Sequence, residues 1–127
     1  MEEGFVLVSK YSRADAISDG TLVDVTAEAR ETGIDHPTAL TREVWAEYVK
    51  LTPAAQHAGC DRRGRLHDIL WMFRWAATAS RSDESELRFE LLVVTDTPEP
   101  KLVTLKAICG PGDDQAPVIT ILLPEQD

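Results

Sequence analysis

The sequence predicts an α+β domain: a three-stranded antiparallel meander in the C-terminal half, packed on one face by helices. Three observations carry this. Residues 87–95, 102–109 and 118–123 are dense in Val, Ile and Leu. They are separated by DTPEP and GPGDDQAP, breaks rich in Pro and Gly that cannot continue a strand ladder. Ahead of them, residues 65–80 carry the apolar spacing of a long helix. Short connections between consecutive strands favour antiparallel neighbours.

In chain order, Phe5 to Ser9 reads as a strand or extended arm. Ser12 is placed to cap a helix over Arg13–Asp19, with Asp15 at the third position completing a capping box. Ala14 and Ile17 are expected inside, and Gly20 sits where a helix-ending glycine belongs. Residues 21–25 read as extended. Thr26 is expected to cap a helix over 27–32 that Gly33 ends. The His36-Pro37 step breaks the chain, since the residue before proline avoids helical geometry. Residues 38–41 read as extended, and Thr41 as the cap of a helix over 42–51. Val44, Trp45, Tyr48 and Leu51 form its apolar face, and Glu43 supplies a first-turn acid.

Residues 53–64 are expected to be an irregular loop. The main helix, about 65–80, presents Leu66, Ile69, Leu70, Phe73, Trp75, Ala76 and Ala77 on a wide apolar face, broadened by Trp71 and Met72. Residues 80–85 are a polar linker. In the meander, Leu87, Phe89, Leu91 and Val93 alternate with charge; Val103, Leu105, Ala107 and Cys109 follow suit, as do Ile119, Ile121 and Leu123. Arg88, Glu90, Thr104 and Lys106 fall on the opposite face.

The 127 residues fit one domain, 1–127, and 43% apolar content excludes disorder throughout. No apolar run reaches the length of a membrane span, and the acidic start lacks the apolar stretch of a signal peptide. Two cysteines, Cys60 and Cys109, do not make a secreted disulfide framework. The expected setting is a bacterial-type cytoplasm. The formal net charge of −9 disfavours bulk attraction to nucleic acid and favours a basic partner.

The segments YSRADAISDGTLVDVT (11–26), GRLHDILWM (64–72) and VTLKAICGPGDD…PVITILLP (103–124) resemble, in this order, an uncharacterised family of small bacterial proteins, a domain of unknown function. That family carries a YTRAQAI-x-DG-x-LVDV start and an LVTLK-x-x-x-GPGD…P-x-ITIMLP end. The similarity covers nearly the whole chain. Members recur on plasmids, phages and integrative elements, so the resemblance implies an accessory protein of mobile DNA. It implies no activity for any residue.

Candidate partner-binding residues are acidic: Asp15, Asp19, Asp24, Glu28, Glu31, Asp35, Glu43 and Glu47. Between residues 15 and 35 the only base is Arg30. Glu28, Glu31 and Asp35 would share a face of a continuing helix. Such stripes suggest a DNA mimic, although duplex DNA carries one charge per about 1.7 Å and one stripe is several-fold sparser. Arg62, Arg63 and Arg65 are expected to pair with Asp61 and Asp68. His57, Cys60 and His67 have no second ligand pair at zinc-site spacing, so no metal site and no cofactor is expected. Asp113 and Asp114 read as a solvated turn. No nucleophile elbow or phosphate loop is present.

The resulting expectation is a non-enzymatic, acidic binding protein of a mobile element. It would act as a counter-defence inhibitor, of the anti-CRISPR or anti-restriction kind, by occupying a basic nucleic-acid-binding site on a host protein complex. It would contact neither nucleic acid nor membrane directly. The rival is a small enzyme or ligand- or metal-binding protein using the 53–67 His/Cys region. The chain is expected to be a monomer, or a homodimer through an uncovered edge strand over residues 118–123.

Overall fold

The computed structural model describes residues 11–80 and 85–126. It is an α+β fold on a five-stranded mixed sheet with strand order β1-β2-β5-β4-β3. The arm expected over residues 5–9 lies outside the described residues, as does most of the polar linker. No helix among the described residues is long and apolar enough to cross a membrane.

The predicted meander is β3 (Glu86–Val93), β4 (Lys101–Pro111) and β5 (Pro117–Leu122), antiparallel throughout. The β4–β5 hairpin runs as far as a Pro111–Pro117 pair, so its loop is shorter than the whole GPGDDQAP break. Gly112 is required there: a Cβ on it would come 2.7 Å from Val118 Cγ1.

Two further strands complete the sheet. β1 (Leu22–Asp24) pairs antiparallel with β2 (Thr38–Thr41), and β2 runs parallel to β5. β5 is therefore interior, which corrects the expectation that 118–123 forms an open edge. One apolar row crosses all five strands: Val23, Leu40, Ile121, Ala107 and Leu87 are successive cross-strand partners. Leu40, Ile121 and Ala107 are fully buried.

Helix α1 (Arg13–Asp19) follows its local code. Ser12 Oγ accepts from Asp15 N–H at 3.0 Å, and the Asp15 carboxylate accepts from Ser12 N–H at 3.2 Å. Ala16 is the buried residue, whereas Ala14 and Ile17 are exposed, against expectation. Helix α2 (Thr26–Glu31) has no side-chain cap. Thr26 instead spends its hydroxyl on Asp24 Oδ1 and accepts from Thr38 N–H at 3.1 Å, tying the helix start to β2. Gly33, at φ +98°, turns the chain out of the helix.

Thr41 caps α3 (Arg42–Val44) as predicted, with Val44 N–H 3.2 Å from its Oγ1. The chain then widens into a π-helical turn, Trp45–Val49, closed by Lys50 N–H on the Trp45 carbonyl at 2.8 Å. This i to i+5 closure brings Val44 and Val49 inside together, both fully buried, so the regular helix predicted to 51 is replaced. The loop expected over residues 53–64 is confined to residues 58–61. Thr52 caps α4 (Pro53–His57), where Pro53 takes the first helical position. Asp61 then caps α5 (Arg62–Ala79), accepting from Gly64 N–H at 2.6 Å, so the main helix starts three residues before its expected 65. Leu66, Ile69, Leu70 and Phe73 are its buried stripe; Trp71 and Trp75 are exposed, at 47% and 65%. Phe73 meets Phe89 edge-on, ring centroids 5.9 Å apart.

The opposite sheet face is covered near β5 by α1 and the C-terminal turn. Arg13 donates to Thr120 Oγ1 at 2.6 Å and to the Ile119 carbonyl at 2.8 Å. Lys106, on that face, is 5% exposed and donates to the Gln126 carbonyl. Asp113, in the hairpin loop, accepts from the N–H groups of Arg13 and Ala14 at 2.9 and 3.0 Å. It thus binds the first two unpaired donors of α1 from a hundred residues away.

Asp113→Ala is expected to cost about 1 kcal/mol, the typical worth of a helix cap, or roughly 3–6 °C in Tm for a domain of this size. Asp114→Ala, which removes only a local acceptor for Ala116 N–H, should cost less. Calorimetry on both variants checks the order, and equal losses would contradict it.

Candidate partner-binding surface

The acidic residues fall into two groups. Some are engaged in the fold. Asp15 completes the α1 capping box. Asp19 accepts from the Tyr11 hydroxyl at 2.5 Å and from Thr21 N–H at 2.9 Å. Asp24 accepts from Thr26 N–H at 3.1 Å and from its hydroxyl at 2.5 Å. Glu43 accepts from Gln126 Nε2 at 3.0 Å. The rest face solvent. Glu28 and Glu31 are exposed on α2, and Glu31 lies 3.9 Å from an Arg63 guanidinium nitrogen. Asp35 is exposed beyond Gly33, and Glu47 is exposed on the π turn. Because α2 ends at Glu31, the continuing helix that would align Glu28, Glu31 and Asp35 does not form.

Seven of the eight acids, all but Glu47, nonetheless come from neighbouring parts of the fold. α1 packs along β1, α2 touches β2, and α3 touches β2 and β5. Glu47, on the π turn, shares a cleft with Asp96 and Lys101 by the β3–β4 connection, whereas α1, α2 and α3 belong to the end of the sheet where β1 is the edge strand. A surface groove of about 470 Å³ opens there, lined by Glu28, Glu31, Trp45, Arg62, Arg63 and Leu66. Its walls carry both charge signs around an apolar floor, an arrangement suited to a mixed protein surface more than to a small anion.

The three arginines do not act together, nor pair as expected. Arg65 is buried and donates to two backbone carbonyls, Tyr48 at 2.9 Å and Val94 at 2.6 Å. It thereby joins the π turn, α5 and the end of β3. Arg63 faces Glu31, and Arg62 lies at the groove.

In the 53–67 region, His57 is exposed at the end of α4, Cys60 is half-buried, and His67 stacks on Trp71 with ring centroids 6.2 Å apart. Among the described residues no three His, Cys, Asp or Glu side chains come together as metal ligands. The fold does bring His36 and Cys109 to one cleft of about 390 Å³, with Asp35 and Arg74. Partial burial pushes the Cys109 thiol up from its ordinary value, favouring the neutral thiol over a thiolate nucleophile. Sequence spacing gave no sign of this convergence, nor of the attachment of Asp113 to α1.

The hydrogen bond from Tyr11 holds the Asp19 carboxyl below its ordinary value, with Thr21 adding to the effect; the same bond raises the Tyr11 phenol. A lowered carboxylate stabilises the fold above its unfolded value and loses that contribution as pH falls through the folded one. A raised phenol stabilises below its unfolded value and loses that contribution as pH rises. The Tyr11→Phe variant should therefore melt below the wild type at neutral pH. The offset should shrink as pH falls below the ordinary carboxylate range, through the lowered Asp19 value, and again as pH rises beyond the ordinary phenol range, through the raised Tyr11 value. A Tm offset that stays constant through both limits would contradict the assignment.

Comparison with curated proteins and with solved structures finds no match. A family model described as a family of unknown function, DUF6573, matches residues 2–127. That is almost the full sequence, and it includes every segment that carried the resemblance. The chain belongs to this family, DUF6573.

Proposed function

We propose that this protein is a non-catalytic binding protein that presents the acidic end of its sheet to a basic protein surface. The observation that carries this reading is the placement of the carboxylates. Asp15, Asp19, Asp24, Glu28, Glu31 and Asp35, with one base among them, are folded around the β1 edge. Part of the set is used internally, leaving Glu28, Glu31 and Asp35 exposed to meet a partner. On a helix, Glu28 and Glu31 lie about 4.5 Å apart along the axis, against about 1.7 Å per charge on duplex DNA. The surface therefore competes for a few cationic side chains and does not copy a duplex along its length.

The occupant we favour is the nucleic-acid-binding site of a bacterial defence complex, in the cytoplasm. This agrees with the net charge of −9 and with the resemblance to proteins carried on mobile DNA. Occupying such a site would block nucleic acid by exclusion, the action of an anti-CRISPR or anti-restriction inhibitor.

The test is capture of host complexes on the immobilised protein at low salt and at about 0.5 M salt, where the screening length falls to a few ångströms. The control is Glu28→Gln/Glu31→Gln/Asp35→Asn, which spares the carboxylates used in the fold. The expected result is a nucleic-acid-binding complex whose affinity drops at least about tenfold with salt and with the variant. It should also be displaced by its own nucleic acid. No such complex, or one indifferent to both changes, would overturn the proposal.

A further inference from the structure

Among the described residues β3 is an edge strand, and its outer side is long. Its only strand partner among the described residues is β4. Cys109 N–H donates to the Ser85 carbonyl at 2.8 Å, which marks Ser85 and Cys109 as a hydrogen-bonded pair. By antiparallel alternation, Leu87, Phe89, Leu91 and Val93 also turn their backbone groups toward β4. Glu86, Arg88, Glu90 and Leu92 then direct theirs away from the sheet. Natural sheets blunt such edges with Lys, Pro, a bulge or brevity. β1, at the other edge, has only three residues. Glu86–Val93 has eight and contains no Lys or Pro.

The surroundings of this edge are apolar. Trp75, Leu92 and Leu102 are 65%, 64% and 63% exposed, and Trp71 47%. Leu92 and Leu102 are cross-strand partners on the face away from α5. A groove of about 450 Å³ runs between α5 and β3, lined by Asp68, Trp71, Met72, Glu90, Leu92 and Leu102. Exposed aromatic and aliphatic side chains gathered beside unpaired strand groups are the features of a β-augmentation site.

The geometry points to a second copy of this chain as the occupant, pairing β3 with β3 antiparallel about a two-fold axis at Phe89. Charge and overlap together select this partner and this register: an axis at Leu87 would also oppose Arg88 and Glu86, but would pair only residues 86–88 of β3 and leave Glu90 and Leu92 without a strand partner. Only residues of the same backbone orientation can oppose one another, so the axis must pass through a residue. An axis at Arg88 sets Arg88 against itself and Glu86 against Glu90; one at Glu90 sets Glu90 against itself. An axis at Phe89 sets Arg88 of each copy against Glu90 of the other, twice, in hydrogen-bonded positions. Among the described residues Arg88 makes a long contact with Glu86, 3.9 Å between half-exposed groups, weak enough to exchange. On the other face the same register brings the two α5 helices together and covers their tryptophans.

The net charge of −9 per chain does not forbid this pairing. The acids of α1, α2 and β1 lie at the β1 edge, about 19 Å from β3 across a five-stranded sheet, beyond the screening length at physiological salt, and on β3 itself Glu90 is matched by Arg88 of the other copy. A ten-stranded dimer would carry one acidic surface at each far end.

The test is sedimentation over roughly 1–200 µM for the wild type, Arg88→Glu, Glu90→Arg, the double variant Arg88→Glu/Glu90→Arg, and an equimolar mixture of the two single variants. All changes lie at exposed positions, and circular dichroism confirms folding. The wild type should dimerise. Each single variant should dimerise at least about tenfold more weakly, because like charges then oppose each other twice. The double variant and the mixture should recover dimers. A wild type monomeric throughout would overturn the proposal and leave the edge to a strand of another protein. A dimer indifferent to charge reversal, or single variants that fail to recover on mixing, would overturn it equally.

Discussion

The parallel pairing of β2 on β5 is the contact on which the rest of the molecule depends. All four residues of β2 are buried, and Leu40, opposite Ile121, is wholly inaccessible. The bond from Ile119 N–H to the Pro37 carbonyl, 2.8 Å, starts the ladder. Val25 N–H on the Thr38 carbonyl, 2.9 Å, and Thr38 N–H on Thr26 Oγ1 fasten α2 to the same strand. Once β2 occupies this position, β5 is interior, β1 becomes one edge and β3 the other. The acidic elements follow β1, and the apolar rim follows β3. The two surfaces to which we assign binding thus lie at opposite ends of one sheet because of one short strand.

Elements with a local code were legible in the sequence. Ser12 and Asp15 around α1, and Thr41 before α3, specify their helix starts through neighbouring side chains and backbone. The meander was legible because its strands alternate apolar and polar residues and are divided by proline-rich breaks. The β2–β5 pairing was not. Thr-Ala-Leu-Thr is short, is buried on both faces so that it shows no alternation, and meets a partner just over eighty residues away. The π turn escaped for a different reason: helical spacing selects Val44, Tyr48 and Leu51, while the wider turn buries Val49. Asp61 lay inside a stretch read as a loop, although its side chain begins the longest helix.

The candidate surface was legible only as composition. The sequence shows six carboxylates with a single base between residues 15 and 35; it does not show which are consumed by folding. Asp15, Asp19 and Asp24 are held by helix, hydroxyl and turn donors, so their presence says as much about local structure as about a partner. The two most distinctive motifs meet in space. Arg13 from the first and Asp113 from the second join α1 to the β4–β5 hairpin. The exposed residues, Glu28, Glu31 and Trp75 among them, carry no motif of their own.

The central claim is that β2 welds the N-terminal elements and the meander into one cooperative unit. Native-state amide hydrogen exchange tests it most directly. The account predicts that amides of β2 and of the β4–β5 pair open together, with the same free energy and the same dependence on denaturant. Exchange of β2 by a separate, lower-energy opening while β4 and β5 remain protected would contradict it. The acidic end would then be an appendage to the sheet and not part of its frame.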